Sequence, residues 1–393
     1  MNRKRSIIFL KDILILACTA FGGPQVHLMM MIDRLVEKRR YLTEGELLEL
    51  QALCQVLPGP TSTQTVVALA YKMRGAGFAY LTLLVWSLPA MSLMISAAIG
   101  VHYLEKNEIS LSFTRFIGPM AVAFLIHGGY KIASKVIHNV MGWGLFILSA
   151  IFIYFYPSPY NTPIVIVAGA IIASFNFGKQ ERMEKDRFSV NWGNLALWAG
   201  VLIFAASLGA LTKALPIRLF ENFYRNGSMV FGGGQVLIPM LYNEFVEFKG
   251  MMTQNEFLSG MALTQLVPGP VFSIATYVGS IVMQQYGVGG QIIGGVMATA
   301  GIFLPGVFLI FFAYRIWNQL KQFRGVRASL EGIHATSSGL TIAAAINMII
   351  PLIQQDKWSP LIILLTLIIV ITTRIPAYYL ILGGLLIGVL FQL

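Results

Sequence analysis

Charge is what this sequence has least of. Only 11% of its 393 residues are Asp, Glu, Lys or Arg, while 56% are hydrophobic and the mean hydropathy is +0.71. Soluble domains carry about 25% charged residues, so a water-soluble globular fold is excluded. Cysteine is almost absent: Cys18 and Cys54 both lie in apolar surroundings and make neither a disulfide framework nor a metal-binding spacing. The chain has no HExxH motif, no phosphate loop of the Walker type and no His/Cys cluster, so neither a metalloprotease site nor an ATPase of its own is expected. No metal or cofactor is implied, and no recurring pair of base and nucleophile points to an enzyme.

What the sequence has instead is long apolar runs. Stretches such as 81–101, 192–211 and 289–312 reach the ~20 residues that a bilayer helix needs. The net charge of +11 does not suggest nucleic acid as a partner, because the basic residues cluster between apolar runs, at 3–5, 37–40, 179–187 and 315–327. That is the pattern of cytoplasmic loops beside a lipid bilayer. The expected fold is an all-α polytopic membrane protein.

Sliding the chain on itself by 210 residues superposes Phe21 on Phe231 and Pro58 on Pro268 without a gap, with 17 identities over positions 21–60. They include Phe21-Gly22-Gly23 with Phe231-Gly232-Gly233, Gln25 with Gln235, Glu46 with Glu256, Gln55 with Gln265, and the whole Pro-Gly-Pro triplet. Leu88-Pro89 and Leu304-Pro305 also correspond after a short insertion. The chain is a tandem duplication, and the apolar stretch near its start is part of the repeat and not a removable leader.

Three regions follow: a repeat over 1–177, a basic linker with one unpaired apolar segment over 178–215, and a second repeat over 216–393. Six segments per half and one unpaired segment make an odd number. The two halves are therefore expected to be inverted-topology repeats with about 10–13 transmembrane segments, in the manner of secondary transporters. Most of the 28 Lys and Arg then fall on the cytoplasmic side. Arg34, Lys38, Arg39 and Arg40 do not, so 26–48 reads either as a surface amphipathic helix with acidic residues Asp33, Glu37, Glu44 and Glu46, or as part of a re-entrant hairpin.

The strongest helix breakers sit inside apolar segments, in QVLPGPTSTQ (55–64) and QLVPGPVFSI (265–274). Proline removes a backbone donor and clashes with the preceding turn. Interrupted backbone is tolerated at membrane depth only where it is buried in protein or lines a wet cavity. The start of a half-helix presents unpaired N–H groups and partial positive charge, so it can hold an anion without Lys or Arg.

Candidate binding residues are Gln55, Pro58, Gly59, Pro60, Thr61, Ser62, Thr63 and Gln64 in the first half, and Gln265, Pro268, Gly269, Pro270, Ser273 and Thr276 in the second. The FGG breaks add Gly22, Gly23 and Gln25 with Gly232, Gly233 and Gln235. Plain kinks and tight helix crossings remain the alternative reading. The first half is the more polar, with Thr61, Ser62 and Gln64 matched to Val271, Phe272 and Ile274. His127 is a candidate for proton coupling, balanced by the reading as a satisfied buried histidine. Lys72 and Arg74 are candidates for anion entry, balanced by cytoplasmic anchoring.

The blocks FGGPQVHLMM, VEKRRYLTEGELLEL and LCQVLPGPTSTQ, with FGGGQVLIPML and ALTQLVPGPVFSIATYVG, resemble the two halves of the chromate ion transporter family in its long, fused form. The resemblance covers nearly the whole chain. It implies an inner-membrane protein that exports chromate and confers chromate resistance, with sulfate as a competitor or alternative substrate. Many fused members carry an acidic residue at the end of the polar run after the first triplet; Gln64 stands there in this sequence. A channel of the same architecture is the other reading of the broken helices. A homodimer is expected from the general frequency of two-fold assemblies.

Overall fold

The computed structural model describes residues 3–21, 24–106, 115–137, 139–156, 158, 161–175, 192–231, 234–320, 324–373, 375 and 377–390. Among these residues all regular structure is helical. The first half runs through α1 (Arg3–Thr19), α2 (Pro24–Met31), a π-helical turn (Ile32–Lys38), α3 (Glu44–Val56), α4 (Thr61–Arg74) and α5 (Ala76–Lys106). It continues with α6 (Ile117–Val136), α7 (Val140–Phe155) and α8 (Asn161–Ser174), and α9 (Gly193–Thr212) is the unpaired segment. The second half gives α10 (Leu215–Met229), α11 (Gly234–Tyr242), a π-helical turn (Asn243–Phe248), α12 (Gln254–Leu266), α13 (Ile274–Val282) and α14 (Gly287–Leu320). It closes with α15 (Arg324–Gln355), α16 (Ser359–Thr372) and α17 (Ala377–Leu390).

The duplication extends to the backbone. Each half has a π-helical turn after its second helix, then a residue of positive φ (Arg40 at 51°, Gly250 at 56°). A capping box follows in both, with the Thr43 hydroxyl accepting from the Glu46 N–H at 3.2 Å and the Glu46 carboxylate accepting from the Thr43 N–H at 2.8 Å. Thr253 and Glu256 repeat it at 3.2 and 2.6 Å. A Thr-x-x-Glu spacing satisfies two orphan donors of a helix start at once, so the repeated pair Glu46/Glu256 serves the fold and not the site. The prolines matched by the duplication, Pro89 and Pro305, lie inside the two longest helices of their repeats, α5 and α14.

Among the described residues four helices are long and apolar enough to cross a membrane: 76–104, 193–212, 284–317 and 331–354. The apolar segments read as α7, α8, α16 and α17 form helices of only 16, 14, 14 and 14 residues. At 1.5 Å rise a 14-residue helix covers about 21 Å, short of a ~30 Å hydrocarbon core.

The chain divides into two compact units, each drawing on both repeats. One contains 1–100, 189–234 and 267–317. The other contains 101–188, 235–266 and 318–393. In the second unit α15 packs against α6, α7 and α8, and it does so through small residues. A Cβ on Gly332 would strike the Gly169 backbone, and one on Gly339 would strike the Phe146 carbonyl and the Ser149 hydroxyl. Lipid gives helices no hydrophobic reason to associate, so close backbone approach of this kind provides the packing.

In the first unit three of the four basic residues that fitted the charge pattern badly have acidic partners. Asp12 of α1 is fully buried. Its carboxylate accepts from Arg34 Nε at 2.9 Å and from the Tyr41 hydroxyl at 3.1 Å, and Arg39 Nε pairs with it at 2.9 Å. Arg34 and Arg39 are five apart, and a π-helical turn brings residues four and five apart onto one face. Lys38 similarly pairs with Asp33 at 2.7 Å, both exposed. Arg34 and Arg39 are therefore held against the protein by one buried acid.

The Asp12 pairing gives a direct test. Replacing both Arg34 and Arg39 by Met leaves a buried carboxylate without its cations, expected to cost about 3–5 kcal/mol. Asp33→Asn, at an exposed pair, is expected to cost less than about 1 kcal/mol. Thermal melting of the detergent-solubilised variants separates the two outcomes.

Candidate functional site

At each Pro-Gly-Pro triplet the chain leaves the helix. After α3 ends at Val56 the backbone bends through Leu57–Gly59, and Pro60 is extended (φ −77°, ψ 98°) before α4 starts at Thr61. After α12 ends at Leu266, Pro270 is extended (φ −71°, ψ 136°) and a 3-10 turn, Val271–Ser273, leads into α13. The central glycines have φ of +124° (Gly59) and +113° (Gly269), a region open essentially to glycine alone.

The two turns are bound crosswise to the opposite repeat, all within the first unit. The Gly59 N–H donates to the Val230 carbonyl at 2.7 Å, and the Gly269 N–H donates to the Ala20 carbonyl at 2.8 Å. Gly59 and Gly269 are equivalent under the 210-residue offset, and so are Ala20 and Val230. Each triplet thus docks on the residue just before the FGG break of the other half. Gly22, Gly23, Gly232 and Gly233 lie outside the described residues, as do the side chains of Gln25 and Gln235, whose backbones open α2 and α11.

A residue absent from the sequence reading sits at the centre. His27 of α2 is 1% exposed. Its Nε2 lies 3.1 Å from the Ala20 carbonyl, and its Nδ1 lies 3.1 Å from the Ser62 hydroxyl. A carbonyl only accepts, so Nε2 carries the hydrogen; in the neutral ring Nδ1 then accepts from Ser62. The Ala20 oxygen therefore receives both His27 and Gly269, using its two lone pairs. A continuous path results: Ser62 hydroxyl, His27 ring, Ala20 carbonyl, Gly269 N–H. It joins the start of α4 to the second triplet.

The rest of the polar run closes around this path. Trp86 of α5 stands edge-on to the His27 ring, centroids 5.7 Å apart, and its Nε1–H donates to the Thr63 hydroxyl at 3.0 Å. Gln64, 1% exposed, donates from Nε2 to the Pro58 carbonyl at 2.8 Å and to the Gly306 carbonyl at 3.2 Å. Its Oε1 is buried without a hydrogen-bond partner. A Cβ on Gly59 would lie 2.9 Å from the Gln64 amide nitrogen, so this amide packs directly against the turn. No side chain caps α4, and the intrahelical ladder begins only with the Gln64 N–H bonded to the Pro60 carbonyl. The N–H groups of Thr61, Ser62 and Thr63 form the open end of the helix. Thr61 itself, not Pro60, is the first helical residue, and it is half-buried.

The second half has no such set. Leu237, Phe272 and Ile274 stand where His27, Ser62 and Gln64 stand in the first. Ser273 is buried, and Thr276 meets Thr299 of α14 at 2.7 Å. Thr299 donates its one hydrogen to the Gly295 carbonyl, so Thr276 donates to Thr299 and its hydroxyl is committed to the α13–α14 contact.

The structure does not bring the remaining candidates to these turns. Gln55 is exposed near the end of α3, and Gln265, near the end of α12, is half-buried. Lys72 donates to Glu46 at 2.6 Å and Arg74 to the Ser6 hydroxyl at 2.9 Å, so both hold α4 to its neighbours. Lys72 lies eight residues beyond Gln64, roughly 12 Å along the helix. His127 belongs to the second unit, half-buried on α6, with Nδ1 unpartnered.

Duplicated halves with backbone breaks that bind crosswise, carried by helices able to cross a bilayer, define a multi-pass membrane protein of the tandem-repeat type. A family model described as chromate transporter matches residues 8–174 and again 217–389, and the chain belongs to that family. The matches leave out α9 and the linker before it. The chain is 27% identical to a chromate transport protein of Pseudomonas aeruginosa, over 84% of this chain and 77% of that protein. It is 22% identical to a chromate transport protein of Cupriavidus metallidurans over 84% and 79%. An uncharacterized transporter of Methanocaldococcus jannaschii is 23% identical over 88% and 85%. No solved structure matches the chain.

The positive φ at the crossed turns sets an expectation. Gly59→Ala and Gly269→Ala force a side chain into a glycine-only conformation, at about 1–3 kcal/mol each. Gly77→Ala, in open space on α5, is expected to change the melting temperature little. Equal losses in all three would show that the crossed turns have no special constraint.

Proposed function

We propose that the protein is a secondary transporter that carries chromate out of the cell, with the anion held at the start of α4 between the two Pro-Gly-Pro turns. The observation that carries this reading is the uncapped α4 start, whose first N–H groups lie open beside a Pro-Gly-Pro turn held by crossed hydrogen bonds from both repeats. The relatives named as chromate transport proteins supply the substrate class. Inverted-topology halves rocking about this point would expose it to one side and then the other.

The physics suits a tetrahedral dianion. Backbone N–H groups and hydroxyls donate to its oxygens, and the helix dipole adds roughly half a positive charge. The membrane potential favours outward movement: each charge is worth about 2.3 kcal/mol per 100 mV, so a dianion leaving a negative interior gains about 4.6. Sulfate has the same shape and charge and is expected to compete. Resistance and an inner-membrane location follow if export is the physiological direction.

Everted membrane vesicles incubated with radiolabelled chromate in the medium provide the test. Wild type is expected to show saturable uptake inhibited by sulfate. Thr61→Ala, at the half-buried first position of α4, is expected to weaken uptake several-fold, and Gln64→Leu at least tenfold, with protein levels unchanged. Uptake untouched by both substitutions would place the site elsewhere in the chain. Uptake only by right-side-out vesicles would reverse the direction, and flux that never saturates and follows voltage would mean a channel.

A further inference from the structure

We propose that His27 is a proton-binding site coupled to the anion: it takes up one proton when the anion occupies the start of α4, and the charged ring turns the Ser62 hydroxyl into a donor toward that anion. This rests on the anion site proposed above.

Ser62 has one hydroxyl hydrogen, and in the neutral state it is directed at His27 Nδ1, 3.1 Å away. Ser62 then offers nothing but lone pairs to whatever occupies the α4 start, which is the wrong polarity for an oxyanion. A proton arriving from the aqueous phase can land only on Nδ1, because Nε2 already carries a hydrogen bonded to Ala20. Once Nδ1 is protonated it donates to the Ser62 oxygen. The serine hydrogen is released from that contact and can point to the anion. One proton thus adds a positive charge and reverses one hydroxyl, and no other bond in the path need break.

Burial makes the event conditional on the anion. An imidazolium 1% exposed is costly unless a negative charge lies beside it. The groups touching His27 are neutral: the Ser62 hydroxyl on α4, the Ala20 carbonyl after α1, and the edge of Trp86 on α5. The ionisable groups of the elements packed around α2 are committed elsewhere. Asp12 of α1 holds Arg34 and Arg39, Asp33 holds Lys38, Lys72 of α4 holds Glu46, and Arg74 holds Ser6. Glu37 of the π-helical turn is exposed. The other charges of α1 are Arg3, Lys4, Arg5 and Lys11, all exposed, and His102 of α5 is 16 residues from Trp86, roughly 24 Å along the helix. A bound dianion is then the one strong charge able to stabilise the protonated ring. By linkage, whatever the anion does for the proton, the proton does for the anion.

The second repeat supports the assignment by contrast. With Leu237 and Phe272 in the equivalent places, the Val230 carbonyl receives Gly59 and has no titratable partner. The crossed backbone bond alone is therefore sufficient to seat a Pro-Gly-Pro turn. His27 and Ser62 are additional to that need.

The experiment is proton uptake on chromate binding by the purified full chain in weakly buffered detergent, at mildly alkaline pH where chromate is wholly the dianion, read with an indicator dye against a protein-free blank. Binding is measured in parallel by equilibrium dialysis. Wild type is expected to take up about one proton per anion bound, and its chromate affinity to fall about tenfold per pH unit as pH rises. His27→Gln, whose amide can still donate to Ala20 and accept from Ser62, is expected to bind with no proton uptake and an affinity varying less than twofold with pH. Saturable binding by wild type without proton uptake would overturn this inference and leave the anion site standing, whether or not the variant folds. Proton uptake retained in folded His27→Gln would overturn it as well. No chromate binding by wild type would instead sink the reading of the site.

Discussion

Two backbone hydrogen bonds, Gly59 to Val230 and Gly269 to Ala20, are the constraint on which the rest of this structure depends. Breaking an apolar helix exposes peptide groups that a lipid or protein interior does not solvate, at about 1–3 kcal/mol for each group left unsatisfied. Neither repeat provides a partner for its own central glycine. Each borrows the carbonyl that precedes the other's FGG break. The interruption is therefore stable only when both halves are present and correctly registered, which ties the break to the duplication as cause to consequence. Glycine is required at both centres because φ near +120° is closed to other residues, and proline on either side prevents the helix from healing through the turn.

On this symmetric frame the chemistry is asymmetric. The first repeat surrounds its turn with His27, Ser62, Thr63, Trp86 and Gln64, and the second places Leu237, Phe272 and Ile274 at three of the matching positions. The frame needs no polar side chain, as the second turn demonstrates. Polar groups kept buried in the first turn are costly, and Gln64 in particular keeps its Oε1 unpartnered.

The sequence made the duplication, the two Pro-Gly-Pro interruptions and the richer polarity of the first half legible, because 17 identities over 40 positions survive and because proline and glycine have steric meanings that hold in any context. Three features were hidden for separate reasons. His27 has no counterpart across the repeat, so a search for matched positions passes over it; the replacement of histidine by leucine at Leu237, beside Ser62 replaced by Phe272, was the available signal. Asp12 was hidden because topology rules weigh Lys and Arg, yet it is the acid that accounts for Arg34 and Arg39. Gln64 bonds to Gly306, a partner 242 residues away that no local pattern indicates. Hydropathy also gave apolar runs without the lengths of the helices inside them, which in four cases are only 14 to 16 residues.

The absence of a lysine or arginine at the start of α4 is consistent with transport in a way that tight binding would not be. The chain has 28 basic residues and could place one there. Instead Lys72 and Arg74 are bonded to Glu46 and Ser6, and Arg34 and Arg39 are bonded to Asp12. A fixed cation at an enclosed site would hold a dianion with energy that must be returned at every release. Helix-end N–H groups present only a fraction of a charge, spread over several donors, and a ring that is charged only while the anion is bound adds attraction that disappears as the anion leaves. A carrier has to let go, and a site made of partial and conditional charge is one from which a divalent anion can depart.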